Sequence, residues 1–302
     1  VIKVKVPATT ANMGAGFDCL GMALDLYNEL IVQEADAFSI EMKKNTGMPK
    51  SHLTKDNMVY QSMLRFYSEI GKKIPEVKIT QDDNIPMTRG LGSSSACIVA
   101  GLFAANELAG KPLSKDELAQ LACQIEGHPD NVAPAVYGGI IIAVLEDDKL
   151  FHVKIAPSDE LSFVTFIPNF QLSTAKARKI LPNMYSRADA VFNISRASLF
   201  VASMMSRNWD NLAISVNDKI HQPYRGTLIP SMEQIFSCSA EAGAKGVFMS
   251  GAGPTIIAIV GREHEREFAD TMKSRLNEIE CGVWETKILH ADLNGAEVNE
   301  IL

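Results

Sequence analysis

The sequence predicts an α+β fold. Short Val- and Ile-rich runs flanked by turn residues read as strands at 2–6, 29–34, 76–80, 139–145, 161–167 and 255–260. Helical periodicity fills the stretches between them, without a strict β-α-β rhythm. At 302 residues the chain can form two modest domains or one large one. The polar, turn-rich segment 147–160 is the expected boundary, giving units at 1–155 and 156–302.

The elements follow in order. Ile2-Lys3-Val4-Lys5-Val6 opens the chain as a strand. Residues 57–70 carry Val59, Met63, Phe66 and Ile70 at helical spacing. Residues 94–108 are apolar nearly all round, so this helix should be buried. The next helix starts at a capping box, Ser114 with Glu117, and presents Leu118, Leu121, Ala122 and Ile125 on one face. It stops at Gly127-His128-Pro129. A further long helix spans 187–206, opened by Ser186.

Bulk composition narrows the function classes. The net charge of −7 gives no general attraction for nucleic acid or an anionic membrane. No apolar run approaches the ~20 residues that span a bilayer, and the first residues show no leader pattern. Cys19, Cys97, Cys123, Cys238 and Cys281 are odd in number and widely spaced, with no C-x-x-C. That argues against a disulfide framework and a structural zinc site, and a cytoplasmic setting is expected.

Three glycine-rich segments carry chemistry. The central one is Pro86-Met87-Thr88-Arg89-Gly90-Leu91-Gly92-Ser93-Ser94-Ser95-Ala96. It follows a strand and enters the buried helix. Glycines permit close backbone approach, serines add hydroxyls, and the helix start offers unpaired N–H groups and a positive dipole end. Together these make an anion cradle suited to phosphate. The segment is neither a Walker A loop nor a dinucleotide fingerprint. The first segment, Pro7 to Asp18, sets Thr9, Asn12 and Asp18 among small residues just before the apolar run Cys19–Leu24. A carboxylate there needs a partner, either a structural Arg or Lys or a substrate ammonium. The third, Met249-Ser250-Gly251-Ala252-Gly253-Pro254-Thr255, reads as a tight hairpin or as backbone packed against a ligand.

In this order the three segments resemble the GHMP kinases. Within that superfamily, Pro7–Gly21, Glu126-Gly127-His128-Pro129-Asp130-Asn131-Val132-Ala133-Pro134-Ala135, and Tyr224-Arg225 followed by Leu228-Ile229-Pro230 resemble the homoserine kinases. Ala15 stands where many members carry proline. The resemblance runs from about residue 2 to about residue 297. It implies a two-domain fold, with an N-terminal domain like the second domain of ribosomal protein S5 and a ferredoxin-like C-terminal domain.

The resemblance also implies residue roles. Pro86 to Ala96 would hold the ATP phosphates, with Ser94 and Glu126 on Mg²⁺ and Asn57 against adenine. Hard oxygen donors suit Mg²⁺, and a cation explains a glutamate in a last helical turn, where the dipole disfavours an anion. L-Homoserine would meet Asp18 at its ammonium and Arg178 and Arg225 at its carboxylate. Thr174 would share one helix face with Arg178. Asn12, His128 and Asn131 would surround the hydroxyl. Asp130 is a candidate base, although loose phosphoryl transfer can proceed on positioning alone. The step belongs to threonine biosynthesis, and a homodimer is common in the family. A mevalonate- or shikimate-type kinase and a non-catalytic sensor of the same fold stay open as alternatives.

Overall fold

The computed structural model describes residues 1–43, 53–279 and 282–300. Cys281 lies outside them. Two sheets divide the molecule. The first contains β1 (Ile2–Ala11), β2 (Leu20–Glu34), β3 (Ser39–Met42), β4 (Val77–Asp82), β5 (Ile140–Glu146) and β6 (Lys149–Ile155). It is completed by β11 (Glu297–Glu300), which returns to pair with the first strand. The second is antiparallel and holds β7 (Leu161–Pro168), β8 (Gly246–Met249), β9 (Ile256–Gly261) and β10 (Trp284–Leu289), in the order β10-β7-β9-β8.

β2 is twice the length its Val/Ile run suggests, because the Cys19–Leu24 stretch forms its first half. That half pairs with β5, and the second half pairs with β4. β1 runs antiparallel along the other edge, with a bulge between Pro7 and Ala8. Asp147 and Asp148, both with positive φ, make the turn joining β5 to β6. The polar run at 147–149 is therefore a solvated hairpin tip, and the chain changes sheet only after Ile155.

Helices α1 (Met58–Glu69), α2 (Ser93–Leu108), α3 (Lys115–Glu126) and α4 (Pro129–Tyr137) belong to the first unit. α2 is buried along its apolar length from Ser95 to Asn106. Ser114 and Glu117 form both halves of the capping box, and Gly127 ends α3 in a left-handed conformation. α4 follows directly, with Pro129 in its first turn. The second unit carries α5 (Thr174–Lys179), α6 (Arg187–Ser206), α7 (Leu212–Ser215), α8 (Gln222–Arg225), α9 (Met232–Glu241) and α10 (Glu265–Glu278). Ser186 caps α6 by accepting from the Asp189 amide. No helix among the described residues is long and apolar enough to cross a membrane.

Candidate active site

The central glycine-serine segment leads from β4 into α2. Gly90 and Gly92 have φ of +77° and +69°. Their glycine identity is enforced by neighbours as well as by dihedrals. A Cβ on Gly90 would lie 2.3 Å from the Ser250 carbonyl oxygen, and one on Gly92 would lie 1.9 Å from Thr9 Oγ1. Gly92 is the N-cap and offers no side chain to the amides of the first turn. The helix start is therefore an anion site. The loop is tied to its surroundings through its own carbonyls. Leu91 O accepts from Thr9 N, Arg89 O from Thr255 N and Thr88 O from Leu172 N. All three glycine-rich segments meet here, since Asn12 Nδ2 donates to Gly251 O at 2.8 Å and Ser250 Oγ donates to Gly90 O.

One cavity gathers Asn12, Asp18, Thr88, Arg89, Gly90, Gly92, Ser93, Ser94, Ser95, Glu126, His128, Asp130, Asn131, Thr174, Arg178 and Arg225. Beside it, sharing Thr88, Ser93 and Ser94, lies a second hollow of about 370 Å³. This slot is walled by Asn57, Met58, Gln81, Asp83, Met87 and Cys97. Pro86, Leu91 and Ala96 line neither. Leu91 and Ala96 are fully buried under the loop, so they support it, and only their backbone could meet a ligand. Asn57 caps α1 by accepting from Val59 N at 2.9 Å and donates to Gln81 at 2.8 Å, which fixes it at the mouth of the slot.

Glu126, the last residue of α3, reaches back to the start of α2. Its two carboxylate oxygens accept from Ser94 Oγ and Ser95 Oγ, both at 3.2 Å. A carboxylate and a hydroxyl on adjoining helix ends form a hard-oxygen donor pair, the chemistry Mg²⁺ takes when most of its shell is water and phosphate. His128 Nδ1 lies 2.5 Å from Asp130 Oδ1, and Nε2 lies 3.9 Å from Glu126. His128 is the N-cap residue of α4, but its side chain makes no capping hydrogen bond and is committed to Asp130. Burial lowers the His128 pKa, but the Asp130 hydrogen bond and the Asp130 and Glu126 charges outweigh it, and the net shift is upward. Asn131 Oδ1 accepts from Thr9 Oγ1 at 2.8 Å.

The cation-and-anion end of the cavity is arranged otherwise than expected for separate substrate contacts. Asp18 and Arg178 form a two-point ion pair with each other, at 2.7 and 2.9 Å. The partner that Asp18 requires is thus an arginine in this structure. Asn12 also uses both ends of its amide, donating to Gly251 O and accepting from Asp18 N at 3.0 Å. Arg225 is 1% exposed and lines the cavity from beneath. Burial and the nearby Arg178 charge push its pKa down to about 10. Thr174 stands exposed at the start of α5, one turn before Arg178.

Several residues that build the site were not singled out in the sequence. Gln81 and Asp83 wall the slot, although each falls in the strand-to-loop stretch just before the glycine segment. The buried Asp218 and His221 stand behind Arg225. The His-x-Pro-x-Arg order at 221–225 was the available signal.

Family models match both units: "GHMP kinases N terminal domain" over residues 57–139 and "GHMP kinases C terminal" over residues 199–278. A homoserine kinase of Caldicellulosiruptor saccharolyticus is 44% identical over 299 residues, covering 99% of this chain and 96% of that protein. The chain belongs to the homoserine kinase family. A homoserine kinase of Clostridium botulinum is also 44% identical, with 98% of each chain covered. Among solved structures, the homoserine kinase of Cytophaga hutchinsonii is 30% identical with a TM-score of 0.87, covering 99% of this chain and 97% of that one. An L. major mevalonate kinase, at 16% identity and a TM-score of 0.75 over 96% of each chain, shares the fold. Like its homoserine kinase relatives, the chain is a kinase with the two-domain GHMP architecture.

Proposed function

We propose that this chain transfers the γ-phosphoryl group of ATP to the side-chain hydroxyl of L-homoserine, giving O-phospho-L-homoserine on the route to threonine. The observation that carries this is the Asp18–Arg178 ion pair, together with Arg225, in the same cavity as the glycine-serine loop. An amino acid brings one cation and one anion. It can divide that pair, its ammonium taken by Asp18 and its carboxylate by Arg178 and Arg225, so each charge exchanges one partner for another. Mevalonate and shikimate carry no ammonium and would leave Asp18 without a partner. That cost favours homoserine over those rivals.

The amides of Gly92 to Ser95 and the α2 dipole hold the phosphates. Adenine enters the slot beside Asn57, Met58 and Met87. Ser94 and Glu126 would hold Mg²⁺, which when bound neutralises charge on the phosphate oxygens. Asn131, kept in place by Thr9, and His128, kept in place by Asp130, orient the acceptor hydroxyl for in-line attack. Positioning and charge neutralisation supply most of the rate in such a loose transfer. Asp130 serves His128 first, because its carboxylate is committed to the imidazole. The residue roles match a division of the chain near residue 155, with ATP on the first unit and the substrate carboxylate on α5 and α8 of the second.

The test is ADP release by the purified protein with Mg-ATP and L-homoserine, against mevalonate, shikimate and L-serine. Strong release confined to homoserine supports the reading. Release with mevalonate or shikimate at the homoserine rate overturns the roles given to Asp18, Arg178 and Arg225.

A further inference from the structure

We infer that His221 is a positioning residue for the substrate carboxylate: its Nδ1 lone pair fixes the Arg225 guanidinium, and its Nε2–H anchors to the first glycine-rich segment. The inference rests on the reading of Arg225 given above.

His221 is fully buried at the N-cap of α8, one turn before Arg225. Its Nε2 lies 2.8 Å from the Gly14 carbonyl oxygen. A carbonyl only accepts, so Nε2 carries the proton. Its Nδ1 faces Arg225 Nη1 across a long contact of 3.4 Å. A guanidinium only donates, so Nδ1 must carry a lone pair. Both contacts demand the same species, the neutral Nε2–H tautomer. Burial lowers the pKa of His221 and favours that species; the Arg225 charge adds to this shift, while the Asp218 charge, the Gly14 hydrogen bond and the Asp18 charge oppose it without reversing it.

Asp218 is not the partner that charges this imidazole, although its Oδ2 lies 3.7 Å from Nε2. Its oxygens are already occupied. Oδ2 accepts from the amides of His221 and Gln222, at 2.8 and 2.6 Å. Oδ1 accepts from Asn193 Nδ2 at 2.6 Å and from Ile220 N at 3.0 Å. Asp218 thus holds the turn that places His221, and leaves the imidazole to Gly14 and Arg225.

Arg225 is consequently fixed from three sides. Nε donates to Ala177 O in α5 at 3.2 Å, and Nη1 donates to Gly251 O at 3.1 Å and faces His221. The Phe17 ring stacks on the imidazole with centroids 5.4 Å apart, and the Arg225 guanidinium carbon lies 5.1 Å from that ring's centroid. Among the described residues Nη2 has no protein partner, which leaves it for a carboxylate. A planar fork contributes to affinity only when its plane is set before the ligand arrives, and His221 helps set it.

Two substitutions separate the two ends of the ring. His221→Gln can place an amide N–H near the Nε2 position and keep Gly14, but offers no acceptor at Nδ1. His221→Asn can place an amide oxygen near Nδ1 and keep Arg225. KM would be measured for L-homoserine, for ATP, and for 2-amino-1,4-butanediol, which lacks the carboxylate. His221→Gln is expected to raise KM for homoserine about tenfold, or about 1.4 kcal/mol. KM for ATP and for the amino-diol should stay within about twofold of wild type. His221→Asn should restore most of the homoserine affinity. Equal penalties in the two variants, or equal penalties on homoserine and amino-diol, overturn the inference. Arg225→Leu provides the reference. If it distinguishes homoserine from the amino-diol and His221→Gln does not, only the role of His221 falls. If Arg225→Leu makes no distinction, the carboxylate role of Arg225 falls as well.

Discussion

Asp130 shows how a single carboxylate can be read two ways until its neighbours are known. It is 2% exposed, lines the cavity, and holds His128 through Nδ1. If it were the base, Asp130→Asn would cost up to about four orders of magnitude in kcat. Since its carboxylate is engaged with the imidazole, Asp130→Asn is expected to keep measurable turnover, with kcat down less than about 100-fold, checked by steady-state ADP release. Asp83, in the wall of the slot beside Asn57, carries a prediction about pH. Burial raises its pKa from 3.8 to about 6, the Gln81 hydrogen bond opposing and the Asp82 charge adding. The folded-state pKa lies above the unfolded value. The associated stability is therefore complete below 3.8 and is lost as pH rises through about 6. Asp83→Asn should melt at a higher temperature than wild type near pH ~8, and the difference should close on approaching pH ~4. A difference that widens toward acid would reverse the assignment.

At the scale of elements, α2 is the support on which the glycine-serine loop rests. Its apolar circumference marked it as buried in the sequence alone, yet its closest contact was invisible there. Gly101 lets α1 and α2 approach so closely that a Cβ would lie 2.4 Å from the Val59 carbonyl oxygen. Gly101→Val should overpack this seam and destabilise by about 1–3 kcal/mol or more in urea titration. Because Asn57 caps α1 beside the slot, the same change should raise KM for ATP more than KM for homoserine. Caps and turns were among the most legible features, as at Ser114, Gly127 and Ser186, because they depend on residues within a few positions of each other. Short elements such as α7 and α8 were not legible. Four residues carry too little periodicity, and packing within the second unit stabilises them.

For the whole molecule, the two sheets share a core: Phe163, Phe248, Ile257 and Ile259 of the second pack in the cluster that holds Val4, Leu20 and Ile79 of the first, while Val164, Phe166 and Ala258 pack with α9 and α10 in a core of their own. Arg89 is a principal tie between them. It lies in the phosphate loop but donates through Nε to Pro168 O and through Nη2 to Asn169 O, both at 2.8 Å, at the end of β7. Arg89→Met should weaken ATP binding by about tenfold and lower the melting temperature, measured by calorimetry and thermal melts; an unchanged ATP affinity would show that the tie is dispensable for the loop. The sequence by itself determined six of the eleven strands among the described residues (β1, β2, β4, β5, β7 and β9), the helices α1, α2, α3 and α6, and the family of the chain, since each depends on local pattern or on motifs contiguous in the chain; it missed β3, β6, β8, β10, β11 and α10. Only the tertiary structure decided that Asp18 faces Arg178, 160 positions away, that β11 joins the first sheet at β1, and that His221 stands behind Arg225. Those pairings join segments remote in sequence, and burial of apolar faces and complementary charge, both properties of the assembled fold, select them.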